Sequence, residues 1–428
     1  MTPKAPGPVA VVGGSRIPFC RSHTAYADLT NLDMLSAALE ALVEKYRLQG
    51  AVIDEVAAGA VVTHSKDWNL AREAVLSTSL SPRTPAVTLQ MACGTSLEAA
   101  LLLGGRIALG QIECAIAGGS DTTSDAPVVF SRKFARRLIR AATAKSLGKR
   151  LGAFVGVRPS ELKPVAPGNG EPRTGKSMGQ HAEMMAQEWD ISRQEQDQWA
   201  VESHHKAAQA YAAGFFDDLV APYHGVTRDN NLREDTSMEK LAMLPPVFDR
   251  VSGKGTLTAG NSTPLTDGAA GVLLASESWA RTRGLPIQAY LVDARTAAVD
   301  FLAGEGLLMA PTVAVARLLQ STGLRLQDFD YYEIHEAFAA QVLCTLKAWE
   351  SEDYCRKRLG LDHALGPIDR ARVNSKGGSL AFGHPFAATG ARILAQAGKL
   401  VATKASGRAL ISVCTAGGMG VAAILEAA

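Results

Sequence analysis

The chain has 428 residues, 47% of them hydrophobic and 20% charged, with a net charge of +2. That length exceeds one ordinary core and predicts two or three domains, while the near-neutral balance argues against a general nucleic-acid binder. Six cysteines with no CxxC pair are too sparse for a disulfide framework and do not suit a zinc ribbon, which fits a reducing, cytoplasmic setting.

The chain opens with a polar, Pro-rich stretch that has neither a signal core nor the Arg/Ser-rich pattern of a transit peptide. No apolar run reaches the roughly 18–20 residues of a membrane span. Residues 9–12 read as a strand, 32–46 as a helix, 55–62 as a strand and 69–80 as a helix that ends before Pro82. A strand at 86–90 runs into a turn at Cys93, followed by a helix at 97–109 and a strand at 113–117. This alternation predicts a mostly parallel sheet covered by helices.

From 131 to about 255 the rhythm breaks. Segment 131–150 carries Arg132, Lys133, Arg136, Arg137, Arg140, Lys145, Lys149 and Arg150, interleaved with Phe134, Leu138, Ile139 and Leu147 and without an acidic residue. It reads as a basic amphipathic stretch, either a solvated face or a surface for an anionic partner such as a nucleotide phosphate, a membrane or an acidic protein. A Pro/Gly-rich linker covers 159–172, and Ser192 with Glu195 forms a capping box opening a helix to about 213. The region reads as an inserted, mostly helical lobe. A polar turn at 255–268 then leads back into a small-residue strand. A second α/β series follows, with a helix at 312–322, a strand at 330–334, helices at 338–349 and up to about 405, and strands at 409–413 and 421–425. Ala-Gly-Gly recurs at 117–119 and 416–418, which suggests a duplicated α/β unit whose equivalent turns face each other.

The residues that carry chemistry lie at those turns. Cys93 precedes Gly94, with Thr95 and Ser96 as N-cap candidates. Backbone N–H groups and a helix dipole there favour thiolate and can lower a cysteine pKa into roughly the 3.5–7.5 range. The competing reading is a buried structural thiol. His384 sits in Gly-His-Pro, framed by Gly377, Gly378 and Gly390, where glycines allow close ligand approach, so it is a candidate base as well as a plain core histidine. Cys414 precedes Ala416-Gly417-Gly418, a turn rich in N–H groups. His335-Glu336 follows a strand, and with no second His at helical spacing it is not a zincin fragment. No carboxylate pair, P-loop or dinucleotide fingerprint competes. Together the set suggests carbon–carbon acyl chemistry, with a thiolate acyl carrier, a His that activates it, a second Cys moving a proton, and two oxyanion sites.

These residues closely resemble the thiolase family over nearly the whole chain. Met91-Ala-Cys-Gly-Thr-Ser is similar to its nucleophile motif, Gly377-Gly378 with Gly383-His384-Pro385 to its histidine motif, and Cys414 with Gly417-Gly418-Met-Gly to its C-terminal motif. Asn261 and Asp267-Gly268-Ala-Ala resemble the turn joining its two core domains. His335-Glu-Ala-Phe, Phe386-Ala-Ala-Thr-Gly, Ser124-Asp-Ala-Pro and the basic segment are similar to β-subunits of fatty-acid oxidation complexes.

The resemblance implies a duplicated αβαβα layered core. Residues 1–128, completed by 256–278, form its N-terminal domain, 129–255 a loop domain, and 279–428 its C-terminal domain. It implies a 3-ketoacyl-CoA thiolase of β-oxidation in which Cys93 takes the acyl group, His384 activates it, and Cys414 serves as acid and base. His384 and His335 would form one oxyanion site, and the N–H groups of Cys93 and Ala416 the other. Ala416 replaces a common Gly, which puts its φ in question. Ser262, Thr263, Met178, Phe338 and Gly383 would contact substrate or CoA, with Met243 and Met309 as further pocket candidates. CoA is a co-substrate, and neither a cofactor nor a metal is implied. Partners implied are a second copy (as a dimer or a dimer of dimers), a hydratase/dehydrogenase α-subunit, and a peripheral membrane contact through 131–150. Alternatives are a biosynthetic acetoacetyl-CoA thiolase, a ketoacyl synthase-like condensing enzyme, which would not need Cys414, and an inactive partner subunit.

Overall fold

The computed structural model describes residues 7–168 and 170–428, so the first residues of the polar N-terminal stretch and Asn169 of the linker lie outside it. Ten strands form one sheet: β1 (Val9–Arg16), β2 (Cys20–Arg21), β3 (Glu55–Gly59), β4 (Ala86–Thr88), β5 (Cys114–Asp121), β6 (Thr266–Ser276), β7 (Ala289–Ala298), β8 (Tyr331–Ile334), β9 (Arg408–Thr415) and β10 (Met419–Glu426). Their order is β4-β3-β5-β6-β1-β7-β10-β9-β8, with β2 beside β6.

The duplication is visible in that order. Outward from the β1/β7 seam, β1-β6-β5-β3 on one side matches β7-β10-β9-β8 on the other. In each half the inner connections are antiparallel and the outer β3/β5 or β8/β9 pair is parallel. The sheet is therefore mixed, not mostly parallel as the βα rhythm predicted. The reason is β6, which returns after the helical segment and inserts antiparallel between β1 and β5. The counterpart of β4 is reduced to a single parallel bridge, Tyr332 to Val373.

The two Ala-Gly-Gly stretches are not equivalents. Register places Ala117 level with Ile411, so Gly118-Gly119 lies inside β5 whereas Gly417-Gly418 forms the β9–β10 turn. The matching helices are Asn31–Tyr46 with Ala310–Thr322, and Thr95–Ala108 with Thr389–Ala402. Leu97, Ala100, Leu103 and Ile107 of Thr95–Ala108 pack in one apolar core with Ala391, Leu394 and Val401 of Thr389–Ala402, which joins the halves.

Between β5 and β6 lie the helices Arg132–Thr143, Leu147–Gly152, Met178–Glu188, Arg193–Ala212 and Met238–Ala242. The predicted capping box at Ser192 and Glu195 is present. Segment 131–150 is broken by Ala144, whose extended ψ of 133° ends the first helix. The later helices dock on the second half through a buried carboxylate. Glu336 accepts from Trp199 Nε1 (3.0 Å), Ser203 Oγ (2.7 Å), Asn374 Nδ2 (2.6 Å) and Leu380 N (3.2 Å). A carboxylate so fully bonded ties three segments together, and removing one partner would leave buried charge uncompensated.

Candidate active site

Cys93 stands where β4 turns into the helix Thr95–Ala108. Ala92, immediately before it, has φ 46°, a left-handed conformation costing a non-glycine residue roughly 1–2 kcal/mol. No local pattern in the sequence signals this strain. The predicted caps act differently from expectation. Gly94 is the N-cap; Thr95 Oγ1 accepts from Met91 N and donates to Ala92 O, bracing the strained turn. Ser96 Oγ accepts from Ala391 N across the pseudo-two-fold.

His384 comes from the loop just before the equivalent turn of the other half, Phe386–Ala388. Gly383 before it has φ 100°, and a Cβ there would meet Thr266 Cγ2 at 2.5 Å, so only glycine lets the loop lie against β6. Thr266 Oγ1 accepts from His384 N (2.6 Å). The imidazole is bracketed by Thr389 Oγ1 at 2.5 Å from Nδ1 and by Cys93 Sγ at 3.1 Å from Nε2. Asp121, at the end of β5, holds this turn to the first half by accepting from Ala387 N (2.8 Å), Val61 N (2.9 Å) and Val62 N (2.8 Å). Burial pushes its carboxyl up to about 7 despite those donors.

His335 follows β8, fully buried, its ring centroid 4.1 Å from that of His384. One donor atom each of Cys93, His335 and His384 lies within 4.8 Å of the other two. Cys414, buried near the end of β9, immediately precedes Thr415, against which Gly94 of the Cys93 turn packs, and a charge on Cys93 raises its thiol pKa. Ala416 is not among the left-handed residues; Gly417 (φ 80°) and Gly418 (φ 72°) make the turn, so the doubt over its φ is removed. The backbone N–H groups of Ala416 and Cys93 lie near enough to the Cys93 sulfur to favour its charged form.

The electrostatics correct one expectation. Burial pushes the Cys93 thiol up to about 12, and the two N–H groups offset only part of that. Desolvation outweighs the helix N-terminus, so the shift runs away from a preformed thiolate rather than toward one. Burial likewise lowers His384 to about 3, with the Arg392 cation adding to it, and takes His335 well below the ordinary histidine value. Burial, then nearby Cys93, raises Cys414 well above the ordinary thiol value. At neutral pH the site is an uncharged thiol–imidazole pair beside a second neutral imidazole and a second thiol.

The remaining sequence candidates lie around this centre in different ways. Thr263 is fixed by its N and Oγ1 to Ala337 O, both at 3.1 Å, while the buried Ser262 Oγ has no protein partner. Phe338 bridges to Ser262 and packs edge-on to Phe248 at 5.8 Å. Met178 opens its helix, half-buried against the second core, and Met309 lies wholly within that core. Met243 is 77% exposed, which removes it from a buried pocket wall.

Several supporting residues escaped the sequence reading. Asn374 (φ 46°) accepts from Ile334 N and donates to Ile334 O, replacing the missing edge strand beside β8. Thr266, Thr389, Ser379 and Arg392 hold the two imidazoles directly or through one contact. Ser379 directly after Gly377-Gly378, and Thr389 directly before Gly390, were the available signals.

A duplicated mixed α/β fold that brings a thiol from one half onto an imidazole from the other defines a cysteine-based acyl-transfer centre. The comparisons give the family. Residues 9–278 match "Thiolase, N-terminal domain" and 285–427 match "Thiolase, C-terminal domain". The 3-ketoacyl-CoA thiolases of Yersinia pestis and Yersinia pseudotuberculosis are 40% identical over 424 residues, 98% of this chain and 96% of theirs. Among solved structures, Bacillus anthracis acetyl-CoA acetyltransferase superposes with a TM-score of 0.81 at 28% identity, covering 99% of this chain and 100% of that one. Human mitochondrial 3-ketoacyl-CoA thiolase does so at 0.81 and 26%, covering 99% of each. The chain belongs to the thiolase family and is an acyltransferase.

Proposed function

We propose that this enzyme cleaves 3-ketoacyl-CoA with free CoA, giving acetyl-CoA and a shortened acyl-CoA, in fatty-acid β-oxidation. The observation that carries the reading is the 3.1 Å approach of His384 Nε2 to Cys93 Sγ with Cys414 alongside. His384 takes the thiol proton as Cys93 sulfur bonds to the 3-keto carbon. The C2–C3 bond breaks, and the acetyl-CoA enolate takes its proton from Cys414. The Cys414 thiolate then accepts the proton of the incoming CoA thiol, whose sulfur attacks the acyl-Cys93 thioester. Cys93 leaves and recovers its proton from His384.

Neutral resting groups suit this sequence. Charge is created only as bonds change, beside donors already in place. One donor pair is His384 with His335, whose buried Nε2 has no protein partner; the other is the N–H groups of Cys93 and Ala416. CoA enters as co-substrate, with Thr263 and Ser262 near its path and the lobe 129–255 shaping the acyl pocket. No cofactor is needed. Thiolysis of a 3-ketoacyl-CoA panel, followed by loss of enolate absorbance, tests the reading. Cleavage confined to acetoacetyl-CoA would favour the biosynthetic alternative, and no CoA-dependent cleavage would remove the assignment.

Segment 128–155 supports a peripheral role. Val128, Val129, Phe130, Ile139, Leu147, Leu151, Phe154 and Val155 are exposed on a lobe that also carries the basic residues. Arg137 is occupied internally by Glu161 and the carbonyls of Ala153 and Val155. No helix among the described residues is long and apolar enough to cross a membrane. The reading is a cytoplasmic enzyme that rests this lobe on an anionic membrane surface. Flotation with phosphatidylglycerol vesicles, absent with neutral vesicles, is expected. Binding only to a hydratase/dehydrogenase subunit would replace that surface by a protein partner. The outer edge of β4, with Val87 42% exposed, supports a homodimer, checked by light scattering.

A further inference from the structure

His335 is buried, and its two ring nitrogens have opposite surroundings. Nδ1 lies 2.9 Å from Ser379 Oγ, whereas Nε2 has no partner in the protein. Burial, followed by His384 and Arg392, keeps the ring neutral, so it carries one proton. Which nitrogen holds that proton depends on Ser379. The Ser379 oxygen is also 2.9 Å from Arg392 Nη2. A guanidinium only donates, so this contact uses a serine lone pair. Ser379 is itself fully buried, and its hydroxyl proton finds its acceptor at His335 Nδ1. A proton on Nδ1 instead would set two donors on one oxygen and leave the serine O–H without an acceptor, a cost buried groups avoid.

We propose that Arg392 and Ser379 are positioning residues that fix His335 in its Nε2–H tautomer, so that it offers the reacting oxygen a donor. The neighbouring imidazole is set the other way. For His384 Nε2 to accept the Cys93 thiol proton, as the proposed mechanism requires, the ring's own proton must sit on Nδ1, facing Thr389 Oγ1. Two rings 4.1 Å apart thus rest in opposite tautomers. Once His384 takes the thiol proton, both present Nε2–H, and the donor pair is complete at the moment negative charge develops. The neighbouring Arg392 cation keeps His335 from competing for that proton, since a second cation beside it is disfavoured. The catalytic consequence rests on the oxyanion role proposed for His335; the tautomer does not.

Nitrogen-15 NMR of the histidine-labelled enzyme reads the tautomer directly, with His335→Gln assigning the signals among nine histidines. The expected result is a protonated Nε2 and a bare Nδ1 at His335 in the unmodified protein. Ser379→Ala should bring in the Nδ1–H form and lower kcat by roughly tenfold with little change in KM. Ser379→Thr should restore both. Arg392→Lys, which keeps a donor, should retain the tautomer. A proton on Nδ1 in the wild type, or an unchanged tautomer in Ser379→Ala, would overturn the proposal. Wild-type kcat in His335→Gln would instead overturn the oxyanion role, with the tautomer still read from the shifts.

Discussion

The turn before Thr95–Ala108 and the turn before Thr389–Ala402 are the same piece of scaffold used for opposite tasks. Each is a single 3-10 turn, Ala92–Gly94 or Phe386–Ala388, running into a fourteen-residue helix. Each packs on the other half. A Cβ on Gly94 would meet Thr415 of β9 at 2.8 Å, and one on Gly119 of β5 would meet Ala387 O at 2.2 Å. The helices touch at their N-termini, where Gly390 lies against Leu97 N. The differences carry the chemistry. The first turn is strained and holds a thiol at its centre; the second is relaxed, holds Ala387 at that place, and offers its histidine from the loop before it. Duplication supplies convergence at no cost to either half, and asymmetry within the turns makes one a nucleophile and the other a base.

The sharpest way to break this comparison is to remove what distinguishes the first turn. Cys93→Ser should lower turnover by at least about 10³-fold and leave no acyl adduct in the intact mass spectrum, because a serine hydroxyl beside a neutral imidazole is a far weaker nucleophile. Cys414→Ala should lower turnover by about 10²-fold yet still accumulate acyl-Cys93 when 3-ketoacyl-CoA is added without CoA. Equal trapping by both variants would show that the two thiols had been given the wrong tasks.

A third test addresses the resting charge state. With the Cys93 thiol at about 12 and His384 at about 3, the thiolate fraction rises tenfold per pH unit below the thiol pKa. Alkylation of Cys93 by iodoacetamide should therefore climb from pH 6 to pH 9 without levelling. A plateau above pH 6 or 7 would mean that a preformed thiolate–imidazolium pair exists after all. The smallest effect concerns the strain. Ala92→Gly should stabilise the protein by about 1 kcal/mol in chemical denaturation, since glycine tolerates the left-handed geometry. Unchanged or lower stability would show that the contacts of Thr95, not the backbone, set the conformation.

Much of this was legible in the sequence because it is local. The Cys93, His384 and Cys414 motifs sit beside glycines whose role is local backbone geometry, and Gly383 and Gly417-Gly418 do adopt left-handed φ. The helices 31–46, 95–108 and 310–322 follow apolar periodicity and were placed to within two residues at either end. What escaped depends on distance along the chain. Antiparallel insertion of β6 is not encoded in β1 or β5, so the βα rhythm does not report the sheet's polarity. The upward shift of Cys93 comes from desolvation, with Asp121 adding to it and the N–H of Ala416 opposing it, and no local sequence pattern reports that balance. Asn374 standing in for a strand edge, and Ser379 between a guanidinium and an imidazole, are visible only once the loops have folded onto one another.

Because β1 lies between β6 and β7, the first strand made on the ribosome is among the last to find neighbours. All eight of its residues are buried in the finished protein. Its ladder partners run from Ala270 to Ser276 and from Ala289 to Leu291. Apart from the bridge of Arg16 to Val220, Val9–Arg16 must therefore wait without a sheet partner while the helical lobe is synthesised. A nascent chain stopped before Thr266 can cover Val12 with the helix Asn31–Tyr46 but lacks both ladder partners of β1, which leaves strand edges open to chaperones or aggregation. The seam that makes one active site from two halves also makes the halves inseparable during biogenesis: neither can be released as a finished unit before the other exists.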